Sequence, residues 1–534
     1  MVRVRLHSNK KDLIKLERKT ESNIMFTDKY NMVNGNGVEN ASEYFVGLKK
    51  DETNKYKMVR VRLHSNKKDL IKSIEKENKE TNDYVENIKM SGFKFEKNTF
   101  LRHNNNEIIV GSKGVKEAED WRDLGFKMIK EIRKNFPKCK NVRLERVVDI
   151  NSKQFFEGIF LADFKFEKYK TVKTSITDIN FLVSQRFLDN KNFIIQRNEL
   201  LEIIKEAKQK VSAQNLARRW VNTTPEEANS ETISEDIVKK FKFNKEIKVE
   251  VYNQEKLEKL NMNGHLTVNR ASKFEAKVVK ITFEPKNFNR SKNKVILGVG
   301  KGLTYDSGGL SIKPSGSMTN MKCDKGGAIA LYGFADILAK RSGDNKVVLY
   351  LAFAENMINQ DSYRPDDVVV QKNGVTAHIK NTDAEGRVVI HDSLTLAQEE
   401  NPDFDEIFSI ATLTGAAVYQ FGNEAAGMVS KNEKLFEPFY EKGKIEDEVF
   451  CEARLHKFML NGINDEVADI SNTGTPNQGC QKAGLYLMSS IQKKNIKKYI
   501  HLDIAGPTFV EKPFGTNPIG ATGFGVRTLF EVYK

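Results

Sequence analysis

At 534 residues, with 39% hydrophobic and 30% charged content, the chain is long enough for several globular domains of about 150 residues each, and no apolar run approaches the roughly 18 residues of a membrane span. The net charge of +15 raises nucleic-acid binding, but the lysines are spread along the chain, often beside Glu or Asn, as on a solvated surface; that argues against a polyanion partner. Cysteines 139, 323, 451 and 480 form no CxxC pair, which argues against a zinc finger or a disulfide framework, and the N-terminus MVRVRLHSNKK lacks a signal-peptide core, so the cytoplasm is the expected compartment.

The first feature along the chain is a duplication: MVRVRLHSNKKDLIK occupies both 1–15 and 58–72. Val2, Val4 and Leu6 alternate, as do Val59, Val61 and Leu63, so each copy can begin with a short strand. Two copies separated by a polar, Asn-rich stretch do not make a solenoid. Residues 1–57 are expected to be an N-terminal extension, weakly packed or disordered, arising from a real duplication or from an error in gene assembly.

From 58 to 205 the pattern predicts a first α/β domain. EIIVGS (107–112), NVRLERVVDI (141–150) and NFIIQR (192–197) read as strands, and WRDLGFKMIKEIRKNF (121–136) as a helix. A long helix over 199–223 is expected to connect it to the second domain, which takes up the rest of 206–534. There KVEVYN, KVVKITFE, KVILGVG, KVVLYLAFA and EIFSIATL are near-continuous apolar runs, as in a sheet buried on both faces. Helical stretches between several of them give a βα alternation. VVVQKNGVTAHI (368–379) predicts a hairpin turning at Asn373-Gly374.

Residues able to do chemistry crowd into 301–387. KGLTYDSGGLSIKP (301–314) follows the strand KVILGVG directly, and the C-terminal ends of strands are where open α/β sheets place ligands. Lys301 and Asp306 are expected there on a glycine-rich turn, with Lys313 on the next stretch. In MKCDKGGAIALYGFADIL (321–338), Asp324 precedes Gly326, Gly327 and Ala328, small residues that let a helix pack closely. NTDAEGR (381–387) then sets Asp383, Glu385 and Arg387 within seven residues, before the helical pattern VVIHDSLTLAQEE. Four carboxylates cannot share one site without mutual repulsion protonating some of them. Two divalent cations about 3.5–4 Å apart resolve this and activate water for hydrolysis. Taken singly, each motif has a plainer reading: DAEGR as a helix start with an acid pair, Lys313 as a surface lysine. GVGKG lacks the GK[ST] of a phosphate loop. No HExxH occurs, and His391, beyond Arg387, is expected to be a packing or surface residue.

The combination of GKGLTYDSGGLSIKP, MKCDKGGA and NTDAEGR resembles the signature segments of the leucyl aminopeptidase family, the M17 metallopeptidases. The likeness continues through LARRWVNTTPEE (216–227), ATLTGAA (411–417), ADISNTG (468–474), HLDIAGP (501–507) and GATGFGVR (520–527). The resemblance implies a smaller, macro-like N-terminal α/β domain and a larger C-terminal α/β/α sandwich whose mixed central sheet carries a two-metal site. Lys301, Asp306, Asp324, Asp383 and Glu385 would be the metal ligands, Lys301 as a neutral amine. Lys313 would stabilise the oxyanion, and Arg387 would hold a bicarbonate that serves as base. Zn²⁺ is the family's usual ion, with Mn²⁺, Mg²⁺ or Co²⁺ exchanging at one position. Met321, Thr412, Gly415 and Ala521 match segments lining the pocket for a leucine-like first side chain. Peptide substrates and a homohexamer are implied too. The chain departs from the family pattern at Lys325, where Met is usual, at His391, where a small residue is usual, and throughout 1–57. A family member with little turnover and a structural or binding role is the alternative reading.

Overall fold

The computed structural model describes residues 193–474 and 477–534, and before them 115–136, 152–172, six short strands and a few single positions. The chain divides into two compact units, Met1–Lys208 and Gln209–Lys534.

The strands of the first unit are β1 (Asn23–Phe26), β2 (Met58–His64), β3 (Phe100–Asn104), β4 (Glu107–Gly111), β5 (Asn141–Glu145) and β6 (Asn180–Ser184), in the sheet order β1-β6-β5-β2-β4-β3. The second copy of the duplicated segment thus supplies a central strand, parallel to β4 and β5. The first copy lies outside the described residues. Asn23–Phe26 pairs antiparallel with β6. Helices α1 (Ala118–Asn135) and α2 (Ser152–Leu161) bury Leu124, Met128, Phe155 and Phe156 with Val110 and Val142 of the sheet, and Arg122 forms a sealed ion pair with Glu157 at 2.7 Å.

Helix α3 runs Phe193–Asn222, so NFIIQR continues the helix and is not the expected strand. A short apolar run beside a helical pattern has no periodicity of its own to separate the two.

The second unit is built on a mixed sheet of eight strands. In chain order they are β7 (Ile247–Tyr252), β8 (Lys277–Phe283), β9 (Val295–Asp306), β10 (Lys346–Asn356), β13 (Glu406–Ala411), β14 (Ala425–Ser430), β15 (Val449–Glu452) and β17 (Tyr499–Asp503). Across the sheet the order is β15-β14-β17-β13-β9-β10-β8-β7. The central four, β17, β13, β9 and β10, are parallel. Their continuous apolar character has the expected cause. Ile296, Val347, Leu349 and Leu351 enter one core with α4 (Gly326–Arg341) and the C-terminal helix Val526–Tyr533. Val295, Leu297, Val348 and Tyr350 enter another with α5 (Glu385–Glu400) and Gly479–Met488. The unit is therefore an α/β/α sandwich.

Strands β11 (Val368–Val370) and β12 (Thr376–His378) form the hairpin, extended by β16 (Ile470–Ser471). Its turn differs from a two-residue Asn-Gly turn. Gly374 N–H donates to Gln371 O and Gln371 N–H to Val375 O, and only Gly374 of the loop has positive φ, +87°. That is the three-residue loop with glycine in the left-handed position. Among the described residues no helix is long and apolar enough to cross a membrane, and Cys323, Cys451 and Cys480 are free thiols.

Candidate metal centre

The site assembles at the C-terminal ends of the central parallel strands. Strand β9 does not stop at Gly300: it continues through Lys301 to Asp306, so Lys301 is a strand residue and not part of the expected turn. A register shift past Leu303, with one extra residue on the β9 side, brings Asn356 of β10 level with Asp306. Asp324 lies in a short 3₁₀ turn, Met321–Lys325, that leads straight into α4. Helix α5 begins at Glu385, so Glu385 and Arg387 sit in its first turn. The glycine between them has a steric reason, because a Cβ on Gly386 would stand 2.4 Å from Lys301 Cε and 2.6 Å from its Nζ.

Five separate segments thus meet. Lys301 Nζ lies 2.9 Å from Asp324 Oδ2 and 2.9 Å from Glu385 Oε1, and donates to Thr412 O at 2.9 Å. Lys313 Nζ pairs with Asp306 Oδ2 at 2.8 Å and also with Asp383. One carboxylate oxygen from each of Asp306, Asp324 and Glu385 falls within 4.8 Å of the others, and all three residues are buried. Asp383 is more open, its side chain 30% exposed. Arg387 is buried and donates Nη1–H to Asn472 O at 2.6 Å, while its Nε–H has no hydrogen-bond partner among the described residues.

The electrostatics follow from burial and from the count of charges. Four carboxylates face two ammonium groups, four minus two leaving an excess of two negative charges. Burial, with Glu385 and Asp324 as neighbours, pushes Asp306 well above the usual carboxylate range. Burial raises Asp324 to about 6 and, with Glu385, raises Asp383. Burial would also raise Glu385, but Lys301 and Lys313 hold it below its ordinary value. For Lys301 burial works against the charge, and Asp324, Glu385 and Asp306 outweigh it, so the ammonium is held above its ordinary value. An oxygen-rich donor set with surplus negative charge and an unpartnered buried oxygen, Glu385 Oε2, fits divalent cations. Their charge would also displace the Lys301 proton, as ligation by a neutral amine requires.

Of the residues matched to a side-chain pocket, Gly415 is exposed and Met321 half-buried, whereas Thr412 and Ala521 are buried, Ala521 completely. Lys325 does not point outward. It is fully buried, and its Nζ donates to Lys322 O at 2.6 Å, not to a carboxylate of the centre. His391 is a packing residue, buried against the Tyr486 ring and hydrogen-bonded to Ser489.

Sequence reading missed the residues that hold the carboxylates. Asn356 Nδ2–H donates to Asp306 Oδ1 at 2.8 Å and to Thr382 O at 3.1 Å. Thr412 Oγ1–H donates to Asp324 Oδ1 at 2.7 Å. The position of Asn356 at a parallel strand's C-terminal end was an available signal; nothing local marks the Thr412 hydroxyl.

Residues 215–530 match the family model described as "Cytosol aminopeptidase family, catalytic domain". A "Probable cytosol aminopeptidase" of Campylobacter jejuni is 37% identical over 372 residues, 70% of this chain and 75% of that protein. Another of the same description, from Helicobacter hepaticus, is 32% identical over 452 residues, 84% of this chain and 92% of the relative. Among solved structures, "Bottromycin maturation enzyme BotP in complex with Mn" superposes with a TM-score of 0.75 at 25% identity, covering 89% of this chain and 98% of that one.

Proposed function

The chain belongs to the cytosol aminopeptidase family, and from that premise we propose that it releases N-terminal, leucine-like residues from peptides at a two-metal centre held by Lys301, Asp306, Asp324, Asp383 and Glu385. The observation that carries this reading is the buried surplus of carboxylates over lysines, with three of the acids within one ion's reach. Two divalent cations bound there, Zn²⁺ or with Mn²⁺, Mg²⁺ or Co²⁺ at an exchangeable position, would polarise the scissile carbonyl and lower the pKa of the attacking water. The complex of BotP with Mn supports a site of this chemistry.

The chain's own groups supply the rest. Lys313, kept charged by Asp306 and Glu385 despite its burial, would donate to the oxyanion as it forms. Arg387, with its unpartnered Nε–H, would hold bicarbonate as the local base. The free α-amine of the peptide would sit at the same acidic centre, which restricts cleavage to the first residue. Met321, Thr412, Gly415 and Ala521 would shape an apolar pocket for that side chain.

The proposal extends to organisation: an extension over 1–57, an N-terminal domain over 58–205 and a catalytic domain over 206–534, assembled as a homohexamer in the cytoplasm. The test is hydrolysis of a leucine amide chromogenic substrate. Activity should disappear with a chelator, return with Mn²⁺ or Zn²⁺, and be lost in Asp383→Ala. A well-folded chain that binds these ions and turns over no aminoacyl amide or peptide would overturn the reading in favour of a structural role.

A further inference from the structure

Behind the acidic centre lies a layer of buried hydrogen bonds that the proposed chemistry leaves unused. Asp503 closes strand β17 and is fully buried. Its Oδ1 accepts the backbone N–H groups of Leu413 at 3.1 Å, Thr414 at 3.4 Å and Ala505 at 3.2 Å. Its Oδ2 accepts the Thr414 hydroxyl at 2.7 Å. One carboxylate therefore fastens the loop that follows β13, on a strand that pairs with β13 in parallel.

Thr412 stands on that loop and turns both of its acceptor or donor groups to the centre. Its hydroxyl donates to Asp324 Oδ1 at 2.7 Å, and its carbonyl accepts from Lys301 Nζ at 2.9 Å. Lys301 in turn lies 2.9 Å from the other Asp324 oxygen, Oδ2. A carboxylate with one oxygen tied to a hydroxyl has lost its freedom to rotate, and only the second oxygen still faces the centre.

We propose that Thr412 is a positioning residue. Its hydroxyl occupies one oxygen of Asp324 and its carbonyl orients Lys301, so two metal-holding groups from different segments are set by one residue, with Asp503 holding the loop that carries it. The inference rests on the two-metal reading above. It also commits the Thr412 hydroxyl to Asp324, leaving only the methyl group to meet a substrate side chain. Groups that orient a ligand from behind it typically change metal affinity by roughly 10–100-fold when removed.

The test uses the full chain, stripped with a chelator and titrated with Mn²⁺ alone by calorimetry. Thr412→Val removes the hydroxyl at nearly constant shape. It should weaken at least one Mn²⁺ binding step by roughly 10–100-fold, while the stripped protein keeps a cooperative melting transition. Thr412→Ser, which keeps the hydroxyl, should bind like the parent, and Asp503→Asn should show a smaller loss of the same kind. Parental affinity in Thr412→Val overturns the proposal. So does an equal loss in Thr412→Ser, which would point to packing. A parent chain that binds no Mn²⁺ defeats the two-metal reading itself and this inference with it, a result distinct from parent and variant binding alike.

Discussion

The second unit buries two groups of charged side chains. Around fully buried Lys210, Glu446 and Glu531 are paired with its ammonium, the latter at 2.7 Å. Arg527 lies 3.3 Å from Glu446 and 3.9 Å from Glu448, and Arg218, close enough to feel Arg527 and Glu448, is lowered by burial to about 9. Among the described residues, three cations thus meet three acids. At the metal centre four acids meet two lysines. Both groups sit in low-dielectric surroundings where unpaired charge is costly. Among the described residues the first group is balanced, as a structural ion-pair network would be. The unbalanced one holds surplus negative charge, and Asp306, Asp324 and Asp383 are raised first by burial, with the neighbouring Glu385 adding to it. The sign of the imbalance, more than burial or the presence of ion pairs, separates a candidate site from a scaffold.

The comparison breaks first on activity. Asp306→Asn keeps the shape of a carboxylate that Asn356, Gly308 and Lys313 contact. It should lower turnover of the leucine amide by at least about 10³-fold, equivalent to about 4 kcal/mol of transition-state stabilisation, with the stripped protein no less stable than the parent. Substantial activity in this variant would detach the acidic excess from catalysis.

The opposite pattern is expected of the balanced group. Glu446→Ala removes one acidic partner of both Lys210 and Arg527 in the interior. Breaking a buried pair from one side costs roughly 3–5 kcal/mol, to be read from the denaturant midpoint of the second unit's transition. Mn²⁺ affinity of the protein that remains folded should match the parent. A stability change near zero would mean that this group is not the self-contained scaffold described.

The two groups also differ in how far the sequence reveals them. Asp306, Asp324, Asp383, Glu385, Lys301 and Lys313 are visible because glycine-rich motifs and strand ends mark them within a short stretch. The sandwich is visible because β9 and β10 are apolar on both faces. The limits were physical. The glycine-rich stretch from Gly302 suggested that the strand ended before Lys301, yet Gly298, Gly300 and Gly302 accommodate close neighbours inside it, such as Phe408 and Ala328. NFIIQR could not be told from a strand because its helix context lies downstream. Thr412, Asn356 and Asp503 act through hydrogen bonds between residues 26 to 111 positions apart. Lys210 and Glu446 are 236 apart. No local pattern encodes such pairings.

Lys325 sharpens the comparison from between the two groups. It is a buried lysine next in sequence to Asp324, but its Nζ donates to the Lys322 carbonyl and to no carboxylate of the centre. Burial lowers it to about 7. Between about 7 and 10.5 the folded state binds fewer protons than the unfolded state, so stability rises with pH across that window and the cost is full below it. Lys325→Met should therefore raise stability at neutral pH by about 2–3 kcal/mol, and the gain should fade as pH approaches 10.5. Melting of parent and variant across that range measures it. A loss of stability would assign the amine a partner that matters.

The smallest effect probes the surplus charge directly. Asp324 is raised from 3.8 to about 6 by burial, with Glu385 adding to the rise and Lys301 opposing it. In the folded state it holds a proton that the unfolded chain has already released. Its unfavourable contribution is therefore absent below 3.8, grows as pH rises and is complete above about 6. Asp324→Asn keeps an acceptor for Thr412 and removes the charge. Without metal it should exceed the parent in stability by about 1–3 kcal/mol at neutral pH, with the difference vanishing toward pH 4. Mn²⁺ should reverse the order, because the cation stabilises only the chain whose carboxylate can hold it. Metal-free melting curves that coincide at every pH would show that Lys301 already neutralises Asp324, and the surplus would then have to reside on Asp306 and Asp383.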